Sequence, residues 1–457
     1  MNLTTIYKRF YNHIKLRSII PAIAISIVLV LATSGETHMS PWNDRPALTG
    51  LSEFPSGSPA SFSPLLTWQK DTEAVMYEIE FFDHMPSAIR DDDSSEEAIW
   101  RSHKIYQNQY NPDLASFAEN IIGKKPLYWR VRSLGLNYEP LTPYSQLAVL
   151  YTSPALKEMD SPVALSYAPG AVPLLYPVYH WVPQHDAATF IVSVYSTNPD
   201  VEPDAVPLET MKTDAAEIYD QKPRYSNHPF YWKVQAYDAA GNPLGKPSKT
   251  ISFTTSPEKA YDVAVLGDSI SHGGGHISFG PADVDFSWPD YLTTIRTVNL
   301  SMSGDTIETM LDRFDRDVLP FHPRYLLIFD GTNSLRAGAD AQQVIDAYKE
   351  LSTRCKAAGI RPIFMTLPPI NPQNIWQAFQ EITADDWSEQ FEIVNAYIRT
   401  QPHIDSAAAF GQHKDLPTEY ALDGIHEDVS GKQLIAQAVE KDWPHAKAAA
   451  DNAFENQ

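Results

Sequence analysis

The sequence holds one cysteine, Cys355, which excludes an intrachain disulfide and a cysteine-built metal cluster. That cysteine shares a helical stripe with Val344, Tyr348 and Leu351, so it reads as a buried structural thiol. Basic residues are also scarce, 35 Lys and Arg against 57 Asp and Glu, for a formal charge of -22. Such a surface repels phosphate backbones and anionic lipids, which argues against a nucleic-acid partner. Long apolar runs are wanting too: the run from Ile19 to Ala32 is shorter than the roughly 20 residues a membrane span needs. Apolar residues still make up 43% of the 457, enough for about three domains with cores of their own.

Residues 1–34 carry Lys8, Arg9, Lys15 and Arg17 but no acid, followed by the apolar run. That order fits a signal peptide cleaved after Val30-Leu31-Ala32, or an uncleaved signal anchor as the sole membrane attachment. No cysteine follows the run to accept a lipid. The expected location is outside the cytoplasm: periplasmic, on the cell surface or secreted.

From about residue 44 to residue 256 the chain repeats itself. "PLYWRVRSLGLNYEPLTPYS" from Pro126 matches "PFYWKVQAYDAAGNPLGKPS" from Pro229, an offset of 103, and Ser153-Pro154 and Ser256-Pro257 keep that offset. Within each copy apolar residues alternate, as in Leu127, Trp129 and Val131 or Phe230, Trp232, Val234 and Ala236, the period of half-buried strands. Proline and glycine punctuate them at short intervals, which suits two β-sandwiches, residues 44–153 and 158–256. The pattern resembles fibronectin type III modules. Modules of this kind serve as spacers or contact a polysaccharide, and Trp68 and Trp181, at strand positions, are expected in the cores.

After Pro257 short apolar runs without alternation, "VAVLG", "TVNLS", "RYLLIF" and "RPIFMTL", are separated by helical stretches. Strands covered on both faces and alternating with helices predict a doubly wound α/β/α domain over residues 257–457. Asp340 with Gln343 should cap one helix and Gly359 close it; Ser430 with Gln433 should cap the last.

Ligands bind such sheets at the carboxyl ends of the strands, which is where Gly267-Asp268-Ser269 falls. Gly304 follows the second run and Asn333 the third, while Asp423 precedes His426 by three residues in a loop near the carboxyl terminus. Blocks of serine, glycine, asparagine and histidine in this order resemble the SGNH, or GDSL-type, hydrolases over residues 261 to about 443. The resemblance implies Ser269 as nucleophile, His426 as general base and Asp423 as the group orienting it. The amides of Ser269 and Gly304 and the side chain of Asn333 would form the oxyanion hole. No cofactor and no metal is implied.

The residue types suit acyl transfer on their own account. A serine hydroxyl needs a base to take its proton, imidazole has a matching affinity, and a neutral amide stabilises an oxyanion without forming an ion pair with substrate. Asp268 adjoins Ser269 but should point away from it; His272 and His276 are expected at the pocket mouth rather than on a metal. The stretch "HISFGPADVDFSWPDYL" between Ser269 and Gly304 departs from the family pattern and should shape the pocket. The expected function is an exported serine esterase removing O-acetyl or other short acyl groups from a carbohydrate. A lipase or lysophospholipase of the same fold, or a non-catalytic adhesin or scaffold, is the alternative. Since all four blocks lie beyond residue 257, residues 257–457 are expected to hydrolyse small esters alone.

Overall fold

The computed structural model describes residues 45–86 and 97–455, the side chain of Lys104 excepted, so the segment read as an export signal lies outside the described residues. Two compact units divide the chain, Met1–Lys157 and Glu158–Gln457. No helix among the described residues is long and apolar enough to cross a membrane.

The first unit contains β1 (Leu66–Thr67), β2 (Met76–Phe82), β3 (Trp100–Ile105), β4 (Gln109–Tyr110), the short helix α1 (Ala115–Ala118), β5 (Leu127–Leu134) and β6 (Ala148–Leu150). Strands β3-β2-β5-β6 form one antiparallel sheet, and β1 pairs separately with β4. Trp68, Tyr77, Phe81, Trp129 and Val131 meet in the core, as the alternation requires. The opposite face of β2 and β5 is not left to solvent. Arg130 pairs with Glu80 at 2.8 Å and Arg132 with Glu78 at 2.6 Å, and Tyr144 covers both guanidinium groups while donating to Glu78 Oε2 at 2.6 Å. The strands expected to be half-buried are therefore buried on both faces, which charge tolerates only because each ion is paired.

The second unit opens with β7 (Val163–Leu165), β8 (Val178–Val182), β9 (Thr189–Tyr195), β10 (Glu209–Thr213), β11 (Glu217–Tyr219), β12 (Phe230–Tyr237), β13 (Pro243–Leu244) and β14 (Ile251–Phe253). They form two antiparallel sheets, β11-β8-β7 and β10-β9-β12-β13, with β14 also on β12. Trp181, Phe190, Val192, Val194, Trp232 and Val234 fill the core, and β9 and β12 alternate cleanly. The repeat reaches hydrogen-bonding detail. The Val131 N–H donates to Ser145 Oγ at 3.1 Å, and at the same offset the Val234 N–H donates to Ser248 Oγ at 3.0 Å. Each serine N–H returns a bond to its valine carbonyl.

The remainder of this unit runs β15 (Val263–Gly267), α2 (Ser269–His272), β16 (Thr297–Asn299), α3 (Ile307–Asp317), β17 (Tyr325–Phe329), α4 (Thr332–Arg336), α5 (Ala341–Ala357), β18 (Arg361–Met365), α6 (Pro372–Phe379), α7 (Trp387–Ile398), β19 (His403–Ile404) and α8 (Val429–Glu455). The five strands are parallel in the order β16-β15-β17-β18-β19. Strand order reverses between β15 and β17, and the crevice at such a switch point is where open α/β sheets bind ligands. Asp340 and Gln343 cap α5 reciprocally and Gly359 follows it with φ 76°, as expected, with Cys355 buried on its inner face. The cap expected from Ser430 is absent: α8 starts at Val429, Ser430 lies in its first turn, and its Oγ donates to the Glu419 carbonyl at 3.1 Å. Asp428, one residue before the helix, instead accepts the Leu422 N–H at 2.8 Å and the His276 N–H at 3.0 Å.

The second β region and the α/β layer are one body. Beyond the edge strand β16 lies the segment Pro173–Leu175, bonded through Asn299 N–H to Pro173 O at 3.0 Å and Leu175 N–H to Asn299 O at 2.9 Å. Leu175 and Tyr176 are buried in the same core as β15 and β17. A cut near residue 257 thus passes through a compact unit, not between two.

Candidate active site

Strand β15 ends at Gly267, where an added Cβ would collide with the Phe329 carbonyl of β17; only glycine lets the two strands stay this close. Asp268 then caps α2, its carboxylate accepting the Ile270 N–H at 2.9 Å. Its side chain is spent on capping the helix that Ser269 begins. Burial pushes its pKa up to about 7, against the pull of the Ile270 N–H and of His426.

Ser269 is the first residue of α2, at the turn between strand and helix. Its Oγ lies 2.8 Å from His426 Nε2, and His426 Nδ1 lies 2.8 Å from Asp423 Oδ2. An ionised carboxylate only accepts, so Nδ1 carries the hydrogen and Nε2 is left to accept the Ser269 hydroxyl. The other carboxylate oxygen of Asp423 takes the N–H groups of Ile425 and His426 at 2.9 and 2.8 Å. Burial alone would raise this carboxyl, but the His426 charge and these bonds outweigh it and hold Asp423 below the usual carboxylate range. Phe379 of α6 meets the His426 ring edge-on with centroids 6.0 Å apart. The structure therefore brings Ser269, His426 and Asp423 into one line.

The loop after β16 completes the crevice. The Met302 N–H bonds to Gly267 O at 3.0 Å, which sets this loop beside the nucleophile turn, and Gly304 holds φ 84°, a backbone that favours glycine. Asn333, in α4 beyond β17, donates from Nδ2 to the Asp305 carbonyl at 2.8 Å, so Gly304 and Asn333 border the same loop.

Several supporting residues escaped the sequence reading. Arg313 of α3 is 4% exposed and reaches Asp305 Oδ2 at 2.5 Å and Leu300 O at 2.6 Å, pinning the loop from beneath. Lys432 of α8, fully buried, donates to Ile270 O at 2.8 Å and pairs with Glu427 at 3.3 Å. Arg336 donates to Asn333 Oδ1 at 3.2 Å. Each reads in sequence as an ordinary charge on an amphipathic helix, and only tertiary packing reveals its use.

His272 and His276 do not sit at the pocket mouth as expected. Both are buried: His272 is bonded to Tyr176 O and Ser303, and His276 packs against Phe286 and pairs with Asp428 at 3.1 Å. They face different partners and form no common ligand set. His272 is buried at the end of α2 against the Tyr176 carbonyl, and the loop after it holds His276 and Ile277 at φ 51° and 70°, strained for non-glycine residues.

Residues 265–434 match the model of the GDSL-like Lipase/Acylhydrolase family. The chain carries a GDSL-like lipase/acylhydrolase domain. Its chemistry is serine ester hydrolysis. Among solved structures, a GDSL-like lipase from Bacteroides thetaiotaomicron is 21% identical, with 40% of this chain and 88% of that one covered and a TM-score of 0.33. A lipase/acylhydrolase from Enterococcus faecalis is 21% identical, covering 39% and 94%, with a TM-score of 0.32. An acetylxylan esterase from Geobacillus stearothermophilus is 19% identical, covering 40% and 93%, also at 0.32. No curated protein matches the chain.

Proposed function

We propose that this GDSL-like domain cleaves carboxylic esters by a Ser-His-Asp mechanism and that its substrate is a carbohydrate bearing O-acetyl or other short acyl groups. The observation that carries the mechanism is the line of two 2.8 Å hydrogen bonds from Ser269 through His426 to Asp423 at the sheet's switch point. Ser269 Oγ attacks the ester carbonyl as its proton passes to His426 Nε2, and the Asp423 carboxylate stabilises the imidazolium. The oxyanion is held by the N–H groups of Ser269 and Gly304 and the side chain of Asn333. His426 then protonates the departing alcohol, activates a water to attack the acyl-serine, and returns the proton to Ser269 as the acid leaves. No cofactor enters this cycle.

A short acyl group suits the burial of the nucleophile, since Ser269 is only 9% exposed. The carbohydrate alcohol and an exported location rest on the character of residues 1–34 and on the β modules, which we read as fibronectin type III-like and able to contact a polysaccharide. Longer acyl chains have one observation in their favour. Trp376 of α6 and Ile382, 52% and 82% exposed, come three residues before and after Phe379, the residue that touches His426. Initial rates on chromogenic acetyl, butyryl and octanoyl esters and on acetylated xylan separate the two. A preference for octanoyl ester with no acetate released from xylan would replace the carbohydrate reading by the lipase one.

A further inference from the structure

Two residues, His272 and Asn299, carry hydrogen bonds from the α/β layer to the neighbouring β region beside the nucleophile helix. His272, the last residue of the nucleophile helix α2, sets its Nε2 2.7 Å from the backbone carbonyl of Tyr176. A carbonyl only accepts, so Nε2 bears the hydrogen and Nδ1 is an acceptor. Nδ1 takes the Ser303 N–H at 3.1 Å and lies 2.8 Å from Ser303 Oγ. Ser303 immediately precedes Gly304. Asn299 makes the second crossing: its backbone pairs with Pro173 and Leu175, and its Nδ2 donates to Ser271 O at 2.6 Å, inside α2.

The crossing segment is itself firmly seated. Tyr176 OH donates to Asp317 Oδ2 at 2.5 Å and accepts from Arg316 at 2.6 Å, Val172 N–H reaches Asp290 at 2.7 Å, and Thr255 Oγ1 reaches Leu174 O at 2.8 Å. Tyr219 of β11 closes over the imidazole edge with centroids 6.1 Å apart.

We propose that His272 is a positioning residue for the oxyanion loop, and that the second β region, through the Tyr176 carbonyl, is a working part of the catalytic centre rather than a spacer. This rests on the reading of Gly304 as an oxyanion donor. A single imidazole spans the β region and the residue next to that donor, so the placement of Pro173–Tyr176 sets where the Gly304 N–H stands. Burial pushes the pKa of His272 down to about 4, with the Tyr176 carbonyl opposing and Arg313 adding to the shift, so the ring stays neutral and keeps its acceptor at working pH. Displacing a stabilising group by an ångström costs on the order of a hundredfold in rate without changing substrate binding, because the bond it makes matters chiefly in the transition state.

The test uses the full chain with a chromogenic acetyl ester and an arylboronic acid, which binds a serine as a tetrahedral anion. His272→Phe keeps an aromatic ring against Tyr219 and loses both bonds. Its kcat should fall roughly tenfold to a hundredfold, with KM within about threefold and boronate affinity weakened by the same factor as kcat. His272→Gln, whose amide can both donate to Tyr176 and accept from Ser303, should recover kcat to within about threefold of the parent enzyme. Should His272→Phe not fold, His272→Asn, too short to bridge both partners, takes its place with the same expectations. A His272→Phe or His272→Asn enzyme with parental kcat overturns the proposal, as does a loss of kcat with undiminished boronate affinity, or a His272→Gln enzyme no better than the Phe variant. Ser269→Ala, run alongside, separates this from the mechanism itself: full activity there sinks the catalytic reading, whereas inactivity there beside a fully active His272→Phe sinks only the positioning role.

Discussion

Arg336 Nε holds Asn333 Oδ1 at 3.2 Å, which fixes the asparagine amide with its NH2 end toward the loop that contains Gly304 and Asp305. Arg336 is in turn anchored on Glu381 at 2.8 Å. Replacing Asn333 by Ala should lower kcat by about a hundredfold with little change in KM, as for the loss of one oxyanion donor. Arg336→Ala should produce a smaller fall of the same kind, roughly tenfold, by freeing the amide to turn. Steady-state kinetics on an acetyl ester checks both, and a rise in KM at constant kcat would instead make Asn333 a substrate-binding group.

Ser269→Ala and His426→Ala should each abolish most turnover, and the double variant should be no worse than either, because the two act as one unit. A serine-directed organophosphate should label one site. Its assignment by mass spectrometry to any serine other than Ser269 would end the mechanism proposed above.

Asp423→Asn should leave the fold intact but cost on the order of 10³ to 10⁴ in kcat, since an amide can donate to Nδ1 and leave His426 in the wrong tautomer. Because the native carboxyl titrates below its usual range, its bonds to His426 and Ile425 stabilise the fold above about pH 4 and are lost as pH falls through the lowered value. Urea unfolding between pH 5 and pH 2 should therefore show a steeper acid loss in the parent than in Asp423→Asn. Parallel curves would contradict the assignment.

Glu217 of β11 lies against Gly280, so closely that a side chain at residue 280 would collide with it. Burial, with Asp283 nearby, raises its pKa from 4.5 to about 7. A carboxyl raised in the folded state favours folding below its unfolded pKa, and that contribution is lost as pH rises through about 7. Glu217→Gln does not titrate, so its melting temperature relative to the parent should be higher at pH 8 than at pH 5. An unchanged difference would mean that Glu217 is already ionised in the folded protein.

Residues 257–457 were expected from sequence to work alone, and the structure gives the opposite prediction. Without Pro173–Tyr176 the edge of β16 is bare, His272 has lost its carbonyl, and Leu175 and Tyr176 leave a gap in the core. Expressed as a fragment, residues 257–457 should aggregate or hydrolyse acetyl ester far more slowly than residues 158–457. Equal activity of the two would return the second β region to the role of spacer.

The parallel sheet was legible because its strands are buried on both faces and read as unbroken apolar runs, and Ser269, Gly304 and Asn333 because each follows such a run; His426 was picked out with Asp423 by the order of the motif blocks, in the loop before the last helix. The last helix cap was misread because the helix begins one residue before Ser430, and Asp428, the other good capping residue, spends its carboxylate on the nearby Leu422 N–H and on the His276 N–H 152 residues upstream. His272 was expected at the pocket mouth, whereas it is buried against a carbonyl that lies 96 residues upstream. No local pattern encodes a partner that far away. The alternation in β5 likewise located the core face, but it could not show that Arg130 and Arg132 on the other face would be roofed by Tyr144.

The Val131–Ser145 and Val234–Ser248 clasps are what two descendants of one ancestral module retain. Around that shared memory the copies have specialised. Where the first copy has Arg130 and Arg132, the second has Lys233 and Gln235, with no matching pair of buried ions among the described residues. The first copy invested in its own closed interior, and the second gave up part of its independence to a neighbour's strand edge. They are no longer exchangeable: a chimaera with the first module grafted in place of the second would keep the clasp, yet meet the hydrolase with the wrong surface.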